Sequence, residues 1–103
     1  MITIIKKLVE GTNMKLFTFI ADYKGGTYIS QFMEETLENA LLLWTININF
    51  LTNKDLESFK KELDYGDVDP PIGLQGLINT WCTCFTVSNK LLLLNIVETV
   101  LPN

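Results

Sequence analysis

The sequence predicts an α+β domain in which two β-hairpins bracket a helical middle. One hairpin signature is Lys24-Gly25-Gly26 and the other is Ser88-Asn89-Lys90, and each lies between runs rich in alternating apolar residues. Glycine and asparagine readily adopt the positive φ angles that tight hairpin turns require. The resulting order, ββααββ, predicts a two-layer fold, with a four-stranded antiparallel sheet and two helices on one face of that sheet.

Period-two patterns of side chains predict the four strands. They cover residues 15–23, 27–33, 77–87 and 90–99. The loop 67–76 contains Pro70 and Pro71, so we expect no regular structure there. The chain is short enough to form one domain. Gly11-Thr12-Asn13 interrupts an apolar pattern just before the first strong strand, so we interpret residues 1–13 as an N-terminal extension and 14–103 as the domain.

Two helices are expected between the hairpins, at about 36–50 and 53–65, with Thr36 and Thr52 as N-caps. Helical spacing places five residues of the first helix on its core face: Leu37, Ala40, Leu41, Trp44 and Ile48. Further apolar residues, including Leu42, Leu43 and Ile46, fall on the opposite side. The first helix is therefore apolar nearly all round, whereas the second has only a narrow apolar stripe.

Charge and composition argue against catalysis and against nucleic-acid binding. The net charge is -4, every cation is a lysine, and the chain has neither arginine nor histidine. Nucleic-acid binding depends on neutralising phosphates, and arginine is its most versatile donor. Histidine is the usual general base near neutral pH and the commonest metal ligand. We therefore expect no enzymatic activity, no cofactor, no metal and no nucleic-acid partner.

The cysteines and the apolar runs predict where the protein resides. Cys82 and Cys84 share one face of a strand in poor geometry for a disulfide, and we expect two buried thiols in a reducing compartment. No apolar run approaches the roughly 20 residues of a membrane span. Lys6 and Lys7 follow the first apolar stretch instead of preceding it, which does not match a signal peptide. These observations predict a cytoplasmic protein without membrane association.

The strand at 90–99 carries apolar residues on both faces. Leu91, Leu93 and Val97 lie on one face, and Leu92, Leu94 and Ile96 lie on the other. One interpretation is a central strand whose second face is covered by the N-terminal segment or by the Pro70-Pro71 loop. The other is an interface, with another protein or with a second copy of the chain.

An acidic segment runs from Glu34 to Asp69, where acids outnumber lysines. It is either a solvated helix end and loop or a patch that docks on a basic partner. For the second interpretation, the candidate protein-binding residues are Asp64, Tyr65, Asp67 and Asp69, with Leu42, Leu43 and Ile46 as apolar contacts.

The run 23–31 followed by Thr36-Leu37-Glu38-Asn39-Ala40-Leu41 resembles the HicB-like antitoxins, in which a glycine-bearing hairpin leads to a helix opening with Thr-Leu-Glu-x-Ala. The similarity covers about residues 15–44. The family's proline- and glycine-containing link is missing, and no DNA-binding segment is evident downstream. The resemblance implies a small bacterial antitoxin or immunity-type domain.

Three functional hypotheses follow. The first is a non-catalytic, cytoplasmic protein-binding domain that neutralises a basic toxin. The second is a structural domain whose apolar sheet face closes a homodimer. The third is a small-molecule site between sheet and helices that uses Tyr28, Ser30, Asp22 or Glu98.

Overall fold

Within the residues that the structure describes, the fold is a five-stranded antiparallel sheet with two helices. The structure is a computed structural model that describes residues 14–64 and 70–99, so the predicted extension 1–13 lies outside the described residues. The elements are β1 Lys15–Tyr23, β2 Gly26–Glu34, α1 Leu37–Ile46, α2 Asn53–Asp64, β3 Ile72–Gly73, β4 Thr80–Val87 and β5 Lys90–Thr99. The strand order across the sheet is β2-β1-β5-β4-β3. The α+β class is confirmed.

The predicted four-stranded sheet of order ββααββ is wrong, because β3 adds a fifth strand and makes the order ββααβββ. Ile72 and Gly73 pair with Cys82 and Trp81 of β4. A turn follows in which the Leu77 N–H donates to the Leu74 carbonyl over 3.1 Å. Pro70 and Pro71 lie directly before β3, so they do not interrupt its pairing with β4. β3 is an edge strand, and proline is tolerated at the edge of a sheet.

Both predicted hairpins are confirmed. Lys24 and Gly25 have φ angles of 50° and 80°, and Ser88 and Asn89 have φ angles of 48° and 63°. Two consecutive residues with positive φ form the tight turn that matches the twist of the flanking strands. These turns set the register on each side, from Tyr23 opposite Gly26 in one hairpin to Val87 opposite Lys90 in the other.

Helix α1 is shorter than predicted and ends at Ile46 instead of residue 50. Asn47 is the C-cap: its φ and ψ of -102° and 10° depart from helical values. Its backbone N–H makes the last helical hydrogen bond, to the Leu43 carbonyl over 3.0 Å, and its side-chain Nδ2 donates to the same oxygen over 2.8 Å. The chain then turns back towards β2, where the Phe50 ring stacks on Tyr28 with centroids 4.3 Å apart. The predicted N-cap is confirmed, since the Asn39 N–H donates to Thr36 Oγ1 over 3.2 Å.

The hydrophobic core lies between the helices and one face of the sheet. The sheet contributes Phe17, Phe19, Ala21 and Tyr23 from β1, Phe85 and Val87 from β4, and Leu92, Leu94 and Ile96 from β5. Ala40 and Trp44 of α1 and Phe59 of α2 complete it. The Trp44 ring is central, with centroids 6.0 Å from Phe19 and 6.1 Å from both Phe59 and Phe85.

The second face of the sheet, hereafter the open face, carries the alternate residues of each strand. Among the described residues it includes Leu16, Thr18, Ile20 and Asp22 of β1, Ile29 and Gln31 of β2, Cys82 and Cys84 of β4, and Leu91, Leu93, Asn95 and Val97 of β5. None of these side chains is fully buried. β5 lies between β1 and β4, so the strand at 90–99 is central, as one of its two interpretations expects.

Candidate functional site

Helix α1 exposes two large aliphatic side chains one turn apart. Leu42 is 59% exposed and Ile46 is 68% exposed, whereas Leu43 is half-buried. The same helix buries Ala40 and Trp44 on its core face. Its ten residues carry a single charge, that of Glu38, so no long polar side chain is available to shield the apolar surface. Such an unshielded apolar face is unusual on a helix that faces solvent.

An apolar groove adjoins this face, with a volume of about 490 Å³. It is lined by Leu41 and Leu42 of α1, Leu63 of α2, and Pro70 and Pro71 beyond α2. The buried Thr83 and Phe85 of β4 also line it, and the exposed Glu38 is the charged residue among its described lining residues. The size of the groove falls within the range of sites that take a small molecule or an apolar side chain.

Of the predicted site residues, some lie at or near the groove and others lie outside the described residues. Asp64 is exposed at the end of α2, next to Leu63 of the groove, and Leu42 lines the groove itself. The predicted residues Tyr65, Asp67 and Asp69 lie outside the described residues. The groove itself was missed by sequence analysis, because it is formed by residues from both helices, from β4 and from the segment after α2.

The residues of the small-molecule hypothesis do not all face one pocket. Tyr28 and Ser30 line a cavity of about 100 Å³ beside the segment after α1. Asp22 is on the open face, where it accepts a hydrogen bond of 2.6 Å from Thr27 Oγ1. Glu98 lies 3.8 Å from Lys15 Nζ. The cavity is smaller than the roughly 300 Å³ at which ligand sites begin.

A partly buried polar network connects both hairpin turns to α2. Lys24 Nζ donates to Asp55 Oδ2 over 3.0 Å, and the Tyr23 hydroxyl donates to the Val87 carbonyl over 3.3 Å. The Ser88 N–H donates to Ser58 Oγ over 2.9 Å. Among the described residues, no buried side-chain nitrogen or oxygen lacks a partner. The network is therefore satisfied internally, which is typical of a structural role.

Three pKa values shift within this network. Hydrogen bonds from Ser88 and from the Lys24 ammonium group lower the pKa of the Asp55 carboxyl from 3.8 to about 2. The hydrogen bond to Asp55 raises the pKa of Lys24. Burial, together with the adjacent Asp55 carboxylate, raises the pKa of the Tyr23 hydroxyl. All three shifts favour the charge states that the network holds at neutral pH.

The Asp55 shift predicts a loss of stability in acid. The pKa of the Asp55 carboxyl is lower in the folded state than in the unfolded state. The contribution of Asp55 to the free energy of unfolding is therefore complete above about pH 4 and disappears as the pH falls towards 2. We expect the free energy of unfolding, measured with urea, to decline through this window and to decline less steeply in Asp55→Asn. Glu57→Gln, an exposed change on the same helix, is the control and should keep the native slope. Equal slopes in the native protein and Asp55→Asn would contradict this assignment.

The two cysteines share the open face, as their spacing predicts, but the expectation that both are buried is wrong. Cys82 is half-buried and Cys84 is exposed. The reason is that α1 and α2, the helices of the described residues, pack on the opposite face of the sheet through Trp44 and Phe59.

Other kinds of site receive no support from residues 14–64 and 70–99. In these ranges no cluster of three or more histidine, cysteine, aspartate or glutamate residues could bind a metal ion. Within the same residues, neither α1 nor α2 has the length and apolar character needed to cross a membrane. Comparison of the chain with protein-family models, with curated proteins and with solved structures found no match.

Proposed function

We propose that this chain is a non-catalytic protein-binding domain that docks on a basic partner protein through α1 and the adjoining groove. The observation that carries the proposal is the exposure of Leu42 and Ile46 on a helix whose only charge is Glu38. Exposed aliphatic side chains beside an apolar groove are typical of the centre of a protein interface, where charged residues are depleted.

The surrounding charges favour a basic partner. Glu38 lies at the groove and Asp64 follows directly after Leu63, while α1 has no cation. A partner that places an aliphatic or aromatic side chain in the groove could therefore direct lysine or arginine towards these acids. Complementary charges around an apolar centre accelerate association and reject acidic proteins.

A toxin that acts on nucleic acid is the partner class that fits this chemistry, in line with the antitoxin resemblance. A nucleic-acid-binding surface is basic because it must neutralise phosphates. An acidic domain that covers such a surface would block access to the substrate without any catalysis. Under this proposal the chain acts in the cytoplasm, where a toxin of this class meets nucleic acid.

The test uses two matched double variants. Leu42→Lys with Ile46→Lys changes the proposed surface, and Ile29→Lys with Leu91→Lys changes residues of the same types on the open face. The side-chain exposures are closely similar, at 59% and 68% for Leu42 and Ile46 against 66% and 60% for Ile29 and Leu91. Partners captured from the source lysate would be identified by mass spectrometry, purified, and titrated by calorimetry at low and high salt.

We expect a basic partner whose affinity falls roughly 30-fold or more in the α1 double variant, since loss of central interface contacts costs about 2 kcal/mol or more. The added lysines would also oppose the partner's positive charge, and high salt should weaken the native complex. The open-face double variant should bind with native affinity. An acidic partner, or equal affinities for the native chain and the α1 double variant, would refute the proposal.

A further inference from the structure

We infer that the open face is the interface of a two-fold symmetric homodimer. This inference is independent of the proposed function, which uses the helices on the other side of the sheet. A two-fold interface joins the same patch of both copies, so the patch must be complementary to itself. Three properties of the open face favour such an interface: an apolar centre, a low charge and a sufficient area.

The side chains of the open face form rows across the strands. One row runs from Ile29 through Ile20 and Asn95 to Cys82 and Ile72. The next row contains Asp22 beside Leu93. Ile20 and Leu93 are diagonal neighbours on the central strands, close enough to form one apolar centre.

Charge favours a second copy as the occupant of this face. The chain carries a net charge of -4, so two copies repel each other on average. Among the described residues of the open face, Asp22 is the only aspartate, glutamate or lysine, and its carboxylate is hydrogen-bonded to Thr27. Two copies can therefore meet here with little opposition between like charges. A basic partner would find no acidic cluster on this face, in contrast to the surface near α1.

The area of the face is sufficient for a stable dimer. Four strands of 8 to 10 residues form most of it. With about 4.8 Å between strands and about 3.3 Å per residue, the face covers roughly 600 Å². Two copies would then bury on the order of 1,200 Å², which is the lower end of the range for specific protein interfaces. Two twisted sheets would pack face to face at about 30°.

The same matched variants test the dimer by light scattering coupled to size-exclusion chromatography. We expect the native chain at about twice its mass of 11.7 kDa. Ile29→Lys with Leu91→Lys should be monomeric, because four lysines would be buried across the interface. Leu42→Lys with Ile46→Lys should remain dimeric. Both double variants change exposed residues, so circular dichroism should show native folding for each.

Cys84 provides a second readout, because it is exposed on the open face opposite Leu93 of β5. In the dimer its thiol should react slowly with a maleimide, and in the monomeric open-face variant it should react at the rate of a free thiol. A monomeric native chain would overturn the inference, whatever the reactivity of Cys84. A dimer that persists in the open-face variant would place the interface elsewhere and would also overturn it.

Discussion

Trp44→Ala is expected to lower the free energy of unfolding by about 3–5 kcal/mol, the range typical for truncating a buried aromatic side chain. Trp44 is almost fully buried, and its ring lies among Phe19, Phe59 and Phe85. It therefore contacts α2 and two strands of the sheet at once. Removing the indole leaves a cavity that all three elements border and that none can fill alone.

Trp81→Ala is the matched control, since the other tryptophan of the chain is half-buried and packs at the border of the core. Urea unfolding monitored by the fluorescence of the remaining tryptophan would give both free energies. We expect the Trp81 variant to lose clearly less stability, because its environment is already partly solvated. An equal or larger loss in Trp81→Ala would mean that the centre of the core has been misassigned.

The strands that could be predicted are those whose signal is local. β1 and β5 have the predicted bounds because each adjoins a turn with two consecutive residues of positive φ. Such a turn fixes the register of both neighbouring strands, so the alternation of buried and exposed residues follows without further information. The helix cap at Thr36 was likewise predictable from its own side chain.

The features that could not be predicted depend on residues far apart in the chain. β3 has two residues and no period of its own, and it exists because a turn brings Ile72 beside Cys82. The Lys24–Asp55 ion pair joins residues 31 positions apart. For the candidate site, helical periodicity predicted that Leu42 and Ile46 lie opposite the core. The groove beside them requires both helices and Pro70-Pro71 in their folded positions.

Leu94→Lys and Leu93→Lys are expected to differ sharply although the residues are adjacent in β5. Leu94 is fully buried on the helix side of the sheet, whereas Leu93 is half-buried on the open face. A lysine at 94 would place an ammonium group among Phe85, Leu92 and Ile96 or force it to deprotonate. The penalty for burying an unpaired ion is several kcal/mol, in addition to about 2–5 kcal/mol for the lost leucine.

This sum is comparable to the entire stability of a small domain, about 5–15 kcal/mol, so Leu94→Lys should be largely unfolded by circular dichroism. In a single copy, a lysine at 93 can extend its ammonium group from the open face into solvent, and we expect this variant to retain the fold. It should nevertheless dissociate the proposed dimer, because Leu93 lies at the centre of the open face. If Leu93→Lys also unfolds the chain, a further layer must cover this face, and the dimer could not form there. Comparing Leu94→Lys with Leu93→Lys therefore distinguishes an effect on the folding of one copy from an effect on dimerisation.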